Sequence, residues 1–166
     1  MTWETIHDYL RKVEKAANAH RGNLVLLREV AHVGPIVITQ NNWQWGYLKP
    51  DEGYGSRLQL YKVKDAAKGA TVTSWGLYQF PSCCALCVST LANVVPEFRN
   101  SGINKLSNQL RQKIAAHEGY AALICTDVMD NTPERRTLVS EDFVDIFQVH
   151  NPRTGNEVMI SVKRLL

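Results

Sequence analysis

The chain has 166 residues, 45% of them hydrophobic and 21% charged, with a formal net charge of +3. That length suits a single domain over 1–166 with a full core, and is short for two. No Lys/Arg block exceeds two adjacent residues, so charge does not argue for a nucleic-acid partner, and no apolar run nears the roughly 20 residues of a membrane helix.

The opening stretch "MTWETIHDYLRKVEKAANAH" holds acidic residues and no apolar signal core, which points to a cytoplasmic protein. Its Ile6, Tyr9, Leu10, Val13 and Ala17 recur at the spacing of an amphipathic helix, with Thr2 placed to cap it. "NLVLLREV" fits a short helix or a strand, "GPIVITQ" reads as a strand, and "NNWQWGYLKPDEGYGS" as a long loop. "RLQLYKVKD" alternates and "TVTSWGLYQF" follows it closely, which predicts a hairpin over 57–80. Pro81-Ser82 breaks the pattern. "CCALCVSTLANVV" is then apolar on both faces, as expected of a strand inside a covered sheet.

The next segment, "PEFRNSG", is polar and interrupted by proline and glycine. It feeds a helix whose Ile103, Leu106, Leu110 and Ile114 form one stripe, while Lys105, Asn108, Gln109, Arg111 and Lys113 are predicted to face elsewhere. Gly119 stops it. "YAALICTDV" is another apolar strand, and "NTPERRTLVSEDF" predicts a short helix capped by Asn131 or Thr132, with Pro133 in its first turn. "FVDIFQV" and "EVMISVKRLL" close the chain as two strands joined by a turn at Thr154-Gly155-Asn156. This order defines an α/β (α+β) domain, a mostly antiparallel sheet flanked by helices. A central strand–helix–strand unit over 83–128 should hold its two strands parallel.

Side chains that carry chemistry are sparse. Cys83, Cys84, Cys87 and Cys125 lack a second Cys or His pair for zinc and are expected to be buried, inert thiols. His7, His20, His32, His117 and His150 are scattered, so no metal site is expected. The Rossmann and P-loop spacings are absent. The turn at 99–105 is different. A strand ending in a polar, glycine-containing loop at a helix N-terminus can cradle an anion, because the first helical amides lack internal partners. Gly102 admits a phosphate close to the backbone, and Arg99 and Lys105 flank it. The same segment also fits a plain connector into a helix.

"LANVVPEFRNSGIN" resembles the acyl-CoA signature of the GNAT superfamily, the Gcn5-related N-acetyltransferases: Val94, Pro96, Phe98, Arg99 and Gly102 match, and Asn104 stands where Gly or Ala is usual. Downstream, Asn131 and Phe143 keep the family's spacing, with Asp142 in place of glycine, and "NPRTGN" resembles its C-terminal hairpin. The likeness is good over 83–166 and only topological over 1–82.

The resemblance implies a GNAT-like fold and transfer of an acyl group, an acetyl transfer by direct attack in a ternary complex, from acetyl-CoA to an amine of a small molecule, protein or nucleobase. It implies that backbone around Ala92, Asn93 and Val94 pairs with the pantetheine arm. The amides of Asn100, Ser101, Gly102, Ile103 and Asn104 would hold the pyrophosphate, and Asn131 would meet the arm from the other side. Arg135, Arg136 or Lys105 would reach the adenosine phosphates. Many members use a tyrosine that protonates the leaving thiolate, and Leu138 occupies that position here. No strand carboxylate is placed as a base, which leaves Tyr78, Ser89, Thr90, Tyr120, Cys125 and Thr126 as candidates for proton transfer. Trp43, Trp45 and Tyr47 are candidates to contact the acceptor, with loop packing or a homodimer contact as alternative roles. A catalytically silent binding module for a protein or nucleic acid is the competing function. Nucleic-acid binding through the aromatic loop is the third.

Overall fold

The computed structural model describes residues 3–16, 24–30, 34–37, 58–65 and 69–166. Among these, α1 spans Trp3–Ala16, β1 Leu24–Val30, β2 Gly34–Val37, β3 Gln59–Asp65, β4 Thr71–Gln79 and β5 Leu86–Val94. They are followed by α2 (Ile103–His117), β6 (Ala122–Val128), α3 (Thr132–Ser140), β7 (Val144–His150) and β8 (Glu157–Arg164). The eight strands form one sheet in the order β2-β1-β3-β4-β5-β6-β8-β7. Every neighbouring pair is antiparallel except β5 and β6, which run parallel as the strand–helix–strand unit requires. The segment "NLVLLREV" is therefore a strand. No helix among the described residues is long and apolar enough to cross a membrane.

Alternation places one side of the sheet under the helices. Tyr61, Val63, Trp75, Leu77, Cys87, Leu123 and Cys125 point that way and join Val13 of α1, Ile103, Leu110 and Ile114 of α2, and Leu138 of α3 in one buried cluster. Tyr61 and Trp75, opposite each other in the β3–β4 ladder, stack with centroids 5.6 Å apart. Each fully buried Leu or Ile in this layer contributes about 1.5–3 kcal/mol.

Two expectations are corrected, and a third falls outside the described residues. β5 begins at Leu86, so Cys83 and Cys84 lie in the turn before it; Cys84 is exposed and Cys83 partly so, while Cys87 and Cys125 are buried. Asn108 and Arg111 of α2 do not face solvent, being 0% and 1% exposed. Their side of α2 is covered by β5 and α3: Arg111 donates from Nη1 to Ser89 Oγ at 3.0 Å and lies 3.5 Å from Glu134 Oε1. The aromatic loop holding Trp43, Trp45 and Tyr47 lies outside the described residues.

Candidate functional site

Two irregularities open a cleft in the middle of the sheet. The β5–β6 ladder lasts only from Leu86/Ala122 to Ser89/Cys125. Beyond it, β5 continues with β4 to Val94 while β6 continues with β8 to Val128, so the parallel strands fork. Just past the fork, β5 carries a bulge. Ser74 faces Asn93 and Gly76 faces Thr90, so Leu91 and Ala92 together oppose Trp75 alone. Leu91 takes φ +53°, a strained conformation for leucine, and is exposed. The extra residue reverses the alternation, so that Val94 packs toward the core and the backbone at 91–93 is left at the open side.

The chain then turns sharply. Pro96–Phe98 form a 3-10 turn, and Asn100 (φ +61°) and Gly102 (φ +82°) swing the backbone into α2. Asparagine and glycine suit these left-handed positions. No side chain caps α2, and its first turn holds no acidic residue. The leading amides are therefore left without a capping side chain among the described residues. A Cβ placed on Gly102 would meet nothing within 4 Å.

A cleft of about 450 Å³ fills the space between these parts, lined by Ala92, Asn93, Val94, Phe98, Arg99, Asn100, Gly102, Asn104, Lys105, Asn131, Pro133, Glu134 and Thr137. Nine residues singled out in the sequence as acyl-CoA contacts thus line one cleft: Ala92, Asn93, Val94, Arg99, Asn100, Gly102, Asn104, Lys105 and Asn131. Two stand apart. Ile103 turns its side chain into the core at 1% exposure, and the Ser101 hydroxyl donates to Phe98 O. Either residue can still offer its backbone amide.

The polar groups are already partly engaged. Arg99 donates from Nε to Val94 O at 2.9 Å, which folds its guanidinium back over the end of β5. Asn104 donates from Nδ2 to Glu134 Oε2 at 2.8 Å and to Thr137 Oγ1 at 3.0 Å, bridging the starts of α2 and α3. Lys105, half-exposed, lies 3.5 Å from Glu141. Asn131 caps α3 by accepting from Glu134 N at 3.5 Å, which settles the choice between Asn131 and Thr132. Glu134 and its ties to Asn104 and Arg111 were not anticipated; only their helical positions were readable.

The remaining candidates fall elsewhere. Arg135 is held by Asp145 at 2.6 Å and by Asp127 at 3.5 Å, so it is not free for an adenosine phosphate; Arg136 is exposed on α3. Burial raises the Asp127 carboxyl, and neither of its oxygens accepts a hydrogen bond among the described residues. Ser89 is 3% exposed and accepts from a guanidinium, which disfavours it as a base. Cys125 is buried and its thiol is pushed up to about 11, and Tyr120 is buried as well. Tyr78 pairs with Val88 on the side away from α2, Thr90 is half-buried, and Thr126 is exposed one residue past the last β5–β6 pair. Leu138 is 1% exposed in the core, so the family's tyrosine position does not face this cleft. No cluster of His, Cys, Asp or Glu suited to a metal occurs among the described residues.

No protein-family model matches the sequence. No curated protein matches it either. Solved structures do. A GNAT family acetyltransferase from Elizabethkingia anophelis with acetyl-CoA bound superposes with TM-score 0.63 at 14% identity, over 87% of this chain and all (100%) of the other. Ribosomal-protein-S5-alanine acetyltransferase from Vibrio fischeri gives TM-score 0.57 at 10% identity, over 64% of this chain and 61% of that one. An N-acetyltransferase from Staphylococcus aureus Mu50 gives 0.55 at 12% identity, over 65% and 68%. The chain thus has the fold of the GNAT superfamily, a mixed α/β sheet with helices packed on it.

Proposed function

We propose that the protein is an acyl-CoA-dependent N-acyltransferase that moves an acetyl group to an amine. The observation that carries this reading is the coincidence, in one cleft, of a forked parallel strand pair and an uncapped helix N-terminus.

The residues present fit acyl-CoA as a substrate. The free amides of α2 would receive the pyrophosphate, helped by the helix dipole and by Arg99. The Ala92–Val94 edge that β6 leaves would align the amides of the pantetheine arm as an added strand, with Arg99 giving up Val94 O, and Asn131 would contact the arm from the far side. Acyl-CoA supplies an activated thioester; the chain supplies position. An amine held beside the thioester carbonyl attacks it, the carbon–sulfur bond breaks, and the amine proton leaves with the thiolate or to water. Glu134 is already bonded by Asn104 and faced by Arg111, and Leu138 is buried, so the described lining offers no ready acid or base. Catalysis by alignment follows, with the amine required in its neutral form.

A silent, acyl-CoA-binding module is the second reading, favoured by the buried Leu138. Calorimetric titration with acetyl-CoA, beside Gly102→Glu, tests the site. The variant sets a carboxylate where the pyrophosphate belongs, and affinity should fall at least 100-fold. No heat from the folded wild type would sink both readings. Binding without release of free thiol across a panel of amines would leave only the second.

A further inference from the structure

The sheet is covered unequally. All three helices join the buried cluster on one side. On the other side, β7 and β8 oppose three apolar pairs: Val144 with Val162, Phe147 with Ile160 and Val149 with Val158. β7 is also the edge of the sheet, and all seven of its residues are exposed. Val144, Ile146, Phe147 and Val149 stand at 62%, 56%, 52% and 37% exposure. Natural edges are guarded by lysine, proline, a bulge or covering segments; the irregularity in β7 lies between Asp145 and Phe147, and the ladder is regular from Phe147 to His150. β7, "VDIFQVH", has neither lysine nor proline, and nothing among the described residues pairs with its outer side.

We infer that β7 is the contact through which two copies of this chain pair, edge to edge and antiparallel, about a two-fold axis at Gln148. Charge favours a second copy over a charged partner. Asp145, the one carboxylate on β7, is paired with Arg135 (3.2 and 2.6 Å), and the strand carries no lysine or arginine, so it opposes itself without like-charge repulsion. Side-chain fit selects the register. Centring on Gln148 sets Phe147 against Val149 of the other copy twice, an aromatic against a β-branched side chain, and Gln148 amide against amide. Centring on Phe147 would set Val149 against Asp145, and the irregularity between Asp145 and Phe147 would break the ladder there. Paired this way, the apolar strips on β7 and β8 of the two copies become continuous, as an isologous contact requires.

Light scattering at tens of micromolar should report twice the 18.7 kDa chain mass for the wild type and one chain for Phe147→Lys, with an unchanged far-ultraviolet spectrum. Cross-linking fixes the register in a Cys83→Ser/Cys84→Ser background. Cys87 and Cys125 can remain, because burial pushes their thiols up to about 12 and about 11. A short-span bifunctional thiol reagent should join copies of Gln148→Cys, which lie roughly 5 Å apart across the pair. It should leave Ile146→Cys single, because that site is about four residues, ~13 Å, from its equivalent. A single-chain wild type, a dimer that survives Phe147→Lys, a mass above two copies, or equal cross-linking at both sites overturns the inference. Should Phe147→Lys fail to fold, the cross-linking pattern decides alone.

Discussion

The first turns of α2 and α3 border the same cleft, yet α3 satisfies its own leading amides and α2 does not. Asn131 caps α3, and Glu134 adds a negative charge to its first turn, where the helix dipole favours one. Gly102 brings no capping group to α2, and no acid follows it. Two helix starts on one cleft thus differ in what they leave open. α3 presents neutral and acidic groups to the cleft, whereas α2 presents bare donors beside Arg99 and Lys105. A ligand with one anionic end and one amide-bearing arm fits that asymmetry in one orientation only.

The two helices are tied by Arg111 and Asn104, both reaching Glu134. Cutting that tie should give the largest effect. Arg111→Leu leaves Glu134 without its buried cation and Ser89 without a donor, and should cost about 3 kcal/mol in urea unfolding. Replacing Glu134 by Leu in the same chain should recover more than half of the loss. A single-variant cost below about 1 kcal/mol would mean that the ion pair does not couple α2 to α3.

A smaller effect sharpens the contrast directly. Inorganic pyrophosphate at ten times its dissociation constant should stabilise the wild type by about 1.4 kcal/mol, raising Tm by roughly 3 °C. Gly102→Glu should show no such rise, and added salt should diminish it in the wild type. An equal rise in the variant would place the anion away from α2.

The smallest effect concerns the outer flank of α3. Arg135, and then the Ser161 hydroxyl, hold the Asp145 carboxyl below the ordinary aspartate value. A lowered folded-state value gives stability that is full above the unfolded aspartate range, near pH 4, and is lost as pH falls through the folded value. Asp145→Asn should therefore flatten the decline of Tm below about pH 4. At neutral pH the cost should stay under about 1 kcal/mol, because the carboxylate is 37% exposed and screened. A decline as steep as that of the wild type would assign acid sensitivity to other groups.

The sequence made the strand–turn–helix at 94–105 legible because its signals are local: proline, a left-handed glycine and a periodic apolar stripe. A cap at Asn131 or Thr132 and the closing hairpin were legible for the same reason. Arg111 was misread because helical periodicity takes a polar residue as outward-facing, and the acid that admits it to the interior lies on another helix. The same distant contact, Arg111 on Ser89, was equally hidden from a reading of local pattern. The apolar pattern of β7 announced a strand but not an edge, since strand order depends on pairings far apart in the chain. The bulge at Leu91 left no mark, because its residues are compatible with an unbroken ladder.

That bulge works as a phase shifter. Upstream, odd-numbered side chains such as Cys87 and Ser89 look toward the helices; downstream, even-numbered Val94 does. Deleting Leu91 would let the ladder run evenly, with Ala92 opposite Trp75 and the Ser74–Asn93 and Thr73–Val94 pairs kept, so the strand would lose its local bend and not the facing of Val94. One unmatched residue thus sets the bend of the cleft wall, while the pairing with β4 sets which way the motif's side chains face.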